Sequence, residues 1–339
     1  MLDILLLEQV NWMLAFQAIA GGLAGAAEAI TRLGDEEFFL FVAPVIYWSF
    51  STTIGLRVGL YLMISGGLNY ALKLFFAQPR PYWIDPQILA FRTESSFGLP
   101  SGHAQHATVF WGALAASSRQ PAILILVMLI IFLIGVSRVL LGVHFISDVL
   151  AGWLIGALLL WLLILLEKPA LQWLKRQTFT KQIVTVFVGS LILLGIGFIA
   201  RVLNADWQMP AEWLANATSN PSGGDPPDPM AMSGLITNAG ALFGLAAGSL
   251  WINRHGGFSP RGLAWKRLVR FILGVMGVAV LWFGLGAVFP RGESLLPYIL
   301  RYIRYALVGL WVTGLAPWLF IQLHLAEQDI PSINNTPGQ

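Results

Sequence analysis

Long apolar runs separated by short polar stretches set the pattern of this chain. A helix needs about 20 apolar residues to cross a bilayer. Candidate runs fall near residues 36–51, 53–76, 101–117, 120–138, 144–166, 182–202, 232–252, 267–289 and 297–322. Their apolar positions go all the way round rather than along one stripe, as expected of helices surrounded by lipid or protein. The pattern predicts an all-α, polytopic transmembrane helical bundle of about nine spans. Residues 1–31 are apolar as well, but they carry Glu8 and Glu28. They read as helix lying at the membrane surface, with a full span as the competing reading. The opening holds Asp3 and Glu8 where a secretory signal would be basic.

One segment breaks the pattern. Residues 203–231 hold Asp206, Glu212, Asp225 and Asp228 together with Pro210, Pro221, Pro226, Pro227 and Pro229. Backbone of that kind has no place in lipid, so an aqueous loop is expected. The expected organisation is an N-terminal interfacial segment (1–33), a catalytic membrane core (34–202), the loop (203–231), a three-span C-terminal region (232–323) and a polar tail (324–339).

Composition agrees with a membrane protein. The chain is 57% hydrophobic and 11% charged, against roughly 25% charged in soluble domains. The absence of cysteine excludes disulfides, thiol nucleophiles and cysteine-ligated metals, and fits an oxidising compartment. The net charge of +3 comes without a basic run, so nucleic acid is not an expected partner.

Charge then orients the spans. With the N-terminus on one side and nine alternating crossings, the opposite side receives Arg57, Arg119, Lys168, Lys175, Arg176, Lys181, Arg254, Arg261, Lys266, Arg267 and Arg270, against only Glu167, Glu327 and Asp329. Basic loops stay in the cytoplasm. Arg291, Arg301 and Arg304 run against the rule but are outnumbered. The N-terminus is thereby placed outside.

Three motifs fall on that outer side. Lys73 and Arg80-Pro81 end the second span, Pro100-Ser101-Gly102-His103 opens the third, and Ser137-Arg138 ends the fourth, with His144 and Asp148 opening the fifth. His144 and Asp148 stand four apart, one turn on a helix, where a carboxylate fixes the imidazole tautomer and raises the basicity of its other nitrogen. Ser101 suits an N-cap whose hydroxyl accepts an early backbone N–H. Gly102 opens the helix N-terminus to an anion, and His103 in the first turn can protonate a leaving oxygen. Lys73, Arg80 and Arg138 supply positive charge for a phosphate. Taken singly, each group has a plainer reading: a helix-end pair, a common turn, a lysine anchored at the headgroups. Taken together on one face, they fit a phosphate-ester hydrolase with a histidine nucleophile and no metal.

At this point the residues resemble a known family, the phosphatidic acid phosphatase type 2 superfamily. Its signature of Lys-x6-Arg-Pro, Pro-Ser-Gly-His and Ser-Arg-x5-His-x3-Asp is filled at Lys73 to Pro81, Pro100 to His103 and Ser137 to Asp148. The resemblance covers roughly residues 34–166. It implies a six-helix-type core and metal-independent hydrolysis through a phosphohistidine, without a cofactor. His144 would be the nucleophile, Asp148 its partner and His103 the general acid, while Lys73, Arg80, Ser101, Gly102 and Arg138 would hold the phosphate. The nine-span layout is similar to the glucose-6-phosphatase and sphingosine-phosphate phosphatase branches. The last three spans lie beyond the signature.

The expected substrate is a membrane lipid phosphate or pyrophosphate, handled on the extracytoplasmic face of the lipid bilayer, with a bacterial plasma membrane favoured over endoplasmic reticulum. A phosphotransferase with the same first step, a sugar-phosphate phosphatase, and a non-catalytic transporter or lipid-binding protein stay open. Further groups read more plainly. His106 is a polar packing residue, and His255 and His324 are surface groups. Arg92 and Glu94 sit in the loop that leads to Ser101 and read as solvated, with a place lining the substrate entrance as the other reading. Trp48, Trp83, Trp173, Trp251 and Trp265 are interfacial anchors. Asn216-Ala-Thr218 matches a glycosylation acceptor. Gly240, Gly244 and Gly248 form a small-residue stripe that suits packing within the chain more than a homo-oligomer, with Gly152 and Gly156 a lesser version.

Overall fold

The computed structural model describes residues 2–116, 118, 120–220 and 226–329. Arg119, Pro221, Asp225 and tail residues 330–339 lie outside the described residues. The described residues are almost wholly helical. In chain order the helices are α1 (Leu2–Ala20), α2 (Ala24–Thr31), α3 (Glu36–Ser49), α4 (Thr52–Phe76), α5 (Pro81–Ile84), α6 (Gly102–Ala115), α7 (Pro121–Leu140), α8 (Ile146–Lys175), α9 (Phe179–Leu203), α10 (Ala211–Thr218), α11 (Ser233–Arg254), α12 (Ala264–Ala279), α13 (Leu285–Val288), α14 (Leu295–Leu310) and α15 (Ala316–Gln322). Two π-helical turns, Val280–Gly284 and Trp311–Leu315, join α12 to α13 and α14 to α15.

A helix answers each of the nine apolar runs. Seven helical stretches among the described residues are long and apolar enough to cross a membrane. The other two, α3 and α6, have 14 residues each, or about 21 Å at 1.5 Å per residue, against a hydrocarbon layer of about 30 Å. Their shortness has local causes. Asp35 and Ser51 bracket α3, and α6 cannot begin before the Pro100-Ser101 turn. Residues 1–31 are not one straight helix. Leu6–Ile19 and Ala24–Gly34 meet at 110°, with the Gly21-Gly22 pair at the corner.

The chain divides into two compact units. The first comprises Met1–Leu40, Tyr61–Trp173 and Leu191–Ala239, and the second Phe41–Leu60, Leu174–Ser190 and Gly240–Gln339. All three motifs lie in the first unit. Its core gathers Val10 and Met13 of α1, Ala27 of α2, Tyr82 and Trp83 of α5, Phe97, Ala104 of α6, Leu141, Val143 and Phe145 of the α7–α8 turn, and Ala217 of α10. Residues of the expected aqueous loop pack on this core: Trp207 stacks edge-on against Phe97 at 4.8 Å, and Asp228 N–H donates to Ser95 O at 3.0 Å. Asn216 Nδ2 donates to Trp83 O at 3.0 Å, so the side chain of the acceptor-like Asn-Ala-Thr holds α10 on α5.

In the second unit, Trp48, Tyr47, Phe258, Val312 and Phe320 form the core. Trp48 Nε1 donates to Val312 O at 2.8 Å. Trp48 and Trp83 are fully buried, which corrects their reading as interfacial anchors; Trp173 and Trp265 are exposed as that reading requires. Within lipid, helix association depends on close backbone approach. Gly240 and Gly244 face the carbonyls of Tyr302 and Ala306, and Gly248 faces Thr313. The stripe is spent on packing within the chain. In the first unit, Gly152 and Gly156 do the same for α8 against Ser101 and Gln105.

The packing predicts opposite effects of two glycine substitutions on thermal unfolding in detergent. Gly244→Val drives a side chain into the Ala306 backbone and destabilises by roughly 1–3 kcal/mol. Gly189→Ala, with nothing within 4 Å of the new methyl, stabilises α9 by about 0.5–1 kcal/mol. Equal shifts at the two positions contradict the packing.

Candidate active site

Four helix ends and two loops bring the motif residues together. Lys73 lies in the last turn of α4, and Arg80 in the extended stretch that Pro81 then turns into α5. Arg138 ends α7, and His144 sits in the turn before α8. Both arginines have zero exposure and His144 has 1%.

Arg80 is held by a crown of carbonyls. Nε donates to Ser96 O at 2.6 Å, Nη1 to Val143 O at 2.9 Å and Nη2 to Phe97 O at 3.1 Å. Nη1 also lies 3.3 Å from His144 Nε2. Ser96 Oγ accepts from Lys73 Nζ at 2.8 Å and from Arg80 Nη2 at 3.2 Å. Loop residues 96 and 97 therefore fix both cations. Pro79 O and the Asp148 carboxylate approach so closely that a Cβ at Gly98 would lie 2.7 and 3.0 Å from them.

His144 Nδ1 lies 3.2 Å from Asp148 Oδ2, which also accepts Phe145 N–H at 3.0 Å. The pair keeps its four-residue spacing, but His144 is not on the helix: Asp148 reaches back from the first turn of α8 to the preceding turn. Burial, reinforced by Arg80, Lys73 and Arg138, pushes the His144 imidazole well below its ordinary value. A neutral ring with its Nδ1 proton toward Asp148 presents the Nε2 lone pair beside Arg80.

Ser101 occupies the N-cap position of α6, yet its side chain makes no capping bond, contrary to the expectation. Its N–H donates to Asp148 O at 2.9 Å, and its fully buried hydroxyl has no partner among the described residues. Arg138 Nε likewise has none among them. Such groups are costly to leave unsatisfied, and both belong to the set that a phosphate would complete. Gly102 is needed from behind: a Cβ there would stand 3.2 Å from Asn69 Oδ1 and 3.5 Å from His106 Nε2. Behind it, His106 Nδ1 pairs with Ser65 Oγ at 2.9 Å, the packing role expected.

Arg92 and Glu94 overturn the solvated-loop reading. Arg138 Nη2 donates to Glu94 Oε1, and Arg80 Nη2 stands 4.0 Å from Glu94 Oε2. Burial would raise the Glu94 carboxyl, but the Arg138 and Arg80 guanidiniums outweigh it and hold it well below the usual carboxylate range. Arg92 bridges Glu28 at 2.6 Å and Asp35 at 2.9 Å. Asp35 Oδ1 in turn lies 2.8 Å from His103 Nε2. These loop charges are wanted because the cations behind them are buried.

Residues 54–171 match the PAP2 superfamily, and residues 236–328 match the transmembrane extension of PAP2 superfamily phosphatases. Phosphatidylglycerophosphatase B of Bacillus subtilis is 33% identical over 146 residues, covering 39% of this chain and 70% of that protein. The chain belongs to the PAP2 superfamily. This PAP2 phosphatase is also similar to glucose-6-phosphatase 3 of Bos taurus, at 28% identity over 91% of this chain and 92% of that one. Sphingosine-1-phosphate phosphatase 2 of Mus musculus is 30% identical over 38% of each chain. The solved phosphatidylglycerolphosphate phosphatase of Bacillus subtilis is 26% identical, with a TM-score of 0.36 over 50% of this chain and 94% of that one. The last three spans, which the motif signature does not reach, fall within the matched extension.

Hydrogen bonds and ion pairs, partly through Ser96 and Glu94, link Lys73, Arg80, Ser101, Arg138, His144 and Asp148 into one cluster, with Gly102 next to Ser101 and His103 held on Asp35. Sequence reasoning missed Ser96 and Asp35, and it left Glu94 in a solvated loop. Glu94, nine residues before His103 in the loop that leads to it, carried the one readable signal: an acid beside buried cations.

The Arg138–Glu94 pair has a thermal signature. Glu94→Ala removes the carboxylate from a buried guanidinium and lowers stability by roughly 1–3 kcal/mol, discounted because Glu94 is partly exposed. In a phosphate-free detergent melt the midpoint falls, and added orthophosphate restores it by filling the same place. The pair's contribution holds above the ordinary carboxylate range and fades only as pH falls toward the depressed folded value. An unchanged midpoint, or one that phosphate does not move, contradicts the pairing.

Proposed function

We propose that this PAP2 phosphatase hydrolyses a lipid phosphate or lipid pyrophosphate through a phosphohistidine on His144, without a metal, at the extracytoplasmic face of the membrane. The observation that carries the reading is the His144 ring, backed by Asp148 at 3.2 Å and flanked at Nε2 by Arg80, in a cluster where the Ser101 hydroxyl and Arg138 Nε have no partner among the described residues. Nε2 attacks phosphorus. The P–O bond to the leaving group breaks, and the leaving oxygen takes a proton from His103. Lys73, Arg80 and Arg138 stabilise charge on the transferring phosphoryl group. Water then attacks phosphorus, giving a proton back to His103, and the P–N bond breaks to release phosphate and free His144. The cations supply the charge that a metal supplies elsewhere. Among the described residues no three His, Cys, Asp or Glu side chains are grouped to hold a metal ion.

The distribution of Lys and Arg along the loops supports the outward orientation. A sugar phosphate is the second reading of the substrate. It is favoured by one observation, the alignment with glucose-6-phosphatase 3 along nearly the whole chain.

Release of orthophosphate by purified protein tests the reading across phosphatidic acid, phosphatidylglycerol phosphate, undecaprenyl pyrophosphate, sphingosine phosphate and glucose 6-phosphate. A lipid substrate should be turned over fastest; preference for glucose 6-phosphate transfers the site to sugars. His144→Ala should lose at least ~10³-fold in kcat, and chelators should change nothing. Full activity in purified His144→Ala, or a reversible requirement for a metal, refutes the mechanism.

A further inference from the structure

His103 carries its own carboxylate, and that carboxylate comes from outside the residues that match the PAP2 superfamily, which begin at 54. Asp35 stands between the end of the α2 segment and the start of α3. Its Oδ1 is 2.8 Å from His103 Nε2. The approach is built in. Gly34 lies against His103, and a Cβ there would sit 3.3 Å from His103 Cδ2 and 2.7 Å from Ile134 Cγ2. Any larger residue would push the segment away from the ring.

Asp35 is itself held in place. Arg92 Nη1 donates to Asp35 Oδ1 at 2.9 Å, and Arg92 Nε donates to both Glu28 oxygens at 2.9 Å. One guanidinium thereby ties α2, the Asp35 corner and the loop that leads to Ser101. Thr31, one turn upstream of Asp35, accepts from Arg138 Nη1 at 3.0 Å. The N-terminal segment touches the site at two points, on the ring of His103 and on a buried guanidinium.

We propose that Asp35 is the positioning residue for His103: it occupies Nε2, fixes the tautomer, and leaves Nδ1 as the nitrogen that exchanges a proton with substrate. Nδ1 has no protein partner among the described residues. The arrangement mirrors the other pair with the ring nitrogens exchanged, since Asp148 takes Nδ1 of His144 and leaves Nε2 facing phosphorus. A carboxylate on one imidazole nitrogen orients the ring and supports positive charge on it. When protonated, His103 gives its Nδ1 proton to the departing oxygen and keeps its Nε2 proton on Asp35. In the second half-reaction Nδ1 takes a proton from the attacking water, which restores the starting ring. The role of His103 in this scheme rests on the function proposed above, whereas the Asp35–His103 contact does not.

Two measurements separate the contact from its use. The first is histidine ¹⁵N NMR of protein in detergent, with the His103 signals identified by their loss in His103→Gln. The native protein should show His103 as one tautomer, protonated at Nε2. Asp35→Ala should convert it to a mixture, and Asp35→Leu, which also offers Nε2 no acceptor, serves if the alanine variant does not fold. An unchanged tautomer overturns the inference whatever substrate the protein accepts.

The second measurement compares an alkyl phosphate, whose leaving oxygen needs a proton, with p-nitrophenyl phosphate, whose leaving group departs without one. Loss of the carboxylate should lower kcat/KM, which is set by the leaving-group step and not by the dephosphorylation common to both esters, about 10–100-fold on the alkyl ester and under about threefold on the aryl ester. Asp35→Glu, which keeps a carboxylate one methylene out of place, should recover part of the alkyl activity. Equal losses on both esters mark a merely structural role and overturn the positioning role, as does no loss on either. Native protein that hydrolyses neither ester while the tautomer still responds to Asp35 defeats the proposed function, and the use of the contact with it, but not the contact itself.

Discussion

Burial of like charges beside one another constrains everything near this site. Arg80 and Arg138 have no exposure, and Lys73 has 7%. An isolated ion in such surroundings is several kcal/mol out of balance. The fold compensates with oxygen. Backbone carbonyls at 96, 97 and 143 surround Arg80, Ser96 Oγ bridges Lys73 and Arg80, and Glu94 with Thr31 meets Arg138. The compensation stops short of completion. Arg138 Nε and Ser101 Oγ keep no partner among the described residues, and a tetrahedral oxyanion is the group whose acceptors suit both. Surplus positive charge at a dry site is what stabilises a transferring phosphoryl group.

Small residues allow the helix ends to converge. Gly98 passes between Pro79 and Asp148, Gly152 lets α8 press on Ser101, and Gly34 lets the N-terminal segment reach His103. Each is a place where the backbone must come within contact of a charged or catalytic group. Residues 203–220 pack over the same region, as Trp207 and Asn216 hold them on Phe97 and Trp83. The precision of the site thus comes from helix ends packed against one another more than from any single element.

Much of this was legible in the sequence. Apolar runs announced the helices because lipid demands that every span satisfy its backbone internally. The three motifs announced the charge because arginine, lysine and histidine at helix ends of a membrane protein are costly. Less legible was whatever depended on distance along the chain. Asp35 reads as an ordinary acid ahead of an apolar run, and nothing local says that it meets His103, 68 residues away. Ser96 carries no signal, since its value lies in where its carbonyl and hydroxyl end up. Trp48 and Trp83 sit near predicted span ends, where tryptophan belongs at the headgroups, yet each is enclosed by packing that spacing could not show. His144 and Asp148 have helical spacing, but the helix begins two residues after the histidine.

The most direct test is an experimental structure with orthovanadate, which imitates the phosphoryl group in transfer. One vanadate should sit with vanadium in bonding reach of His144 Nε2 and its oxygens on Arg80, Arg138, Lys73 and Ser101. Vanadate bound away from His144, or the imidazoles of His103 and His144 too far apart to share it, would contradict a single anion pocket assembled from distant stretches of chain.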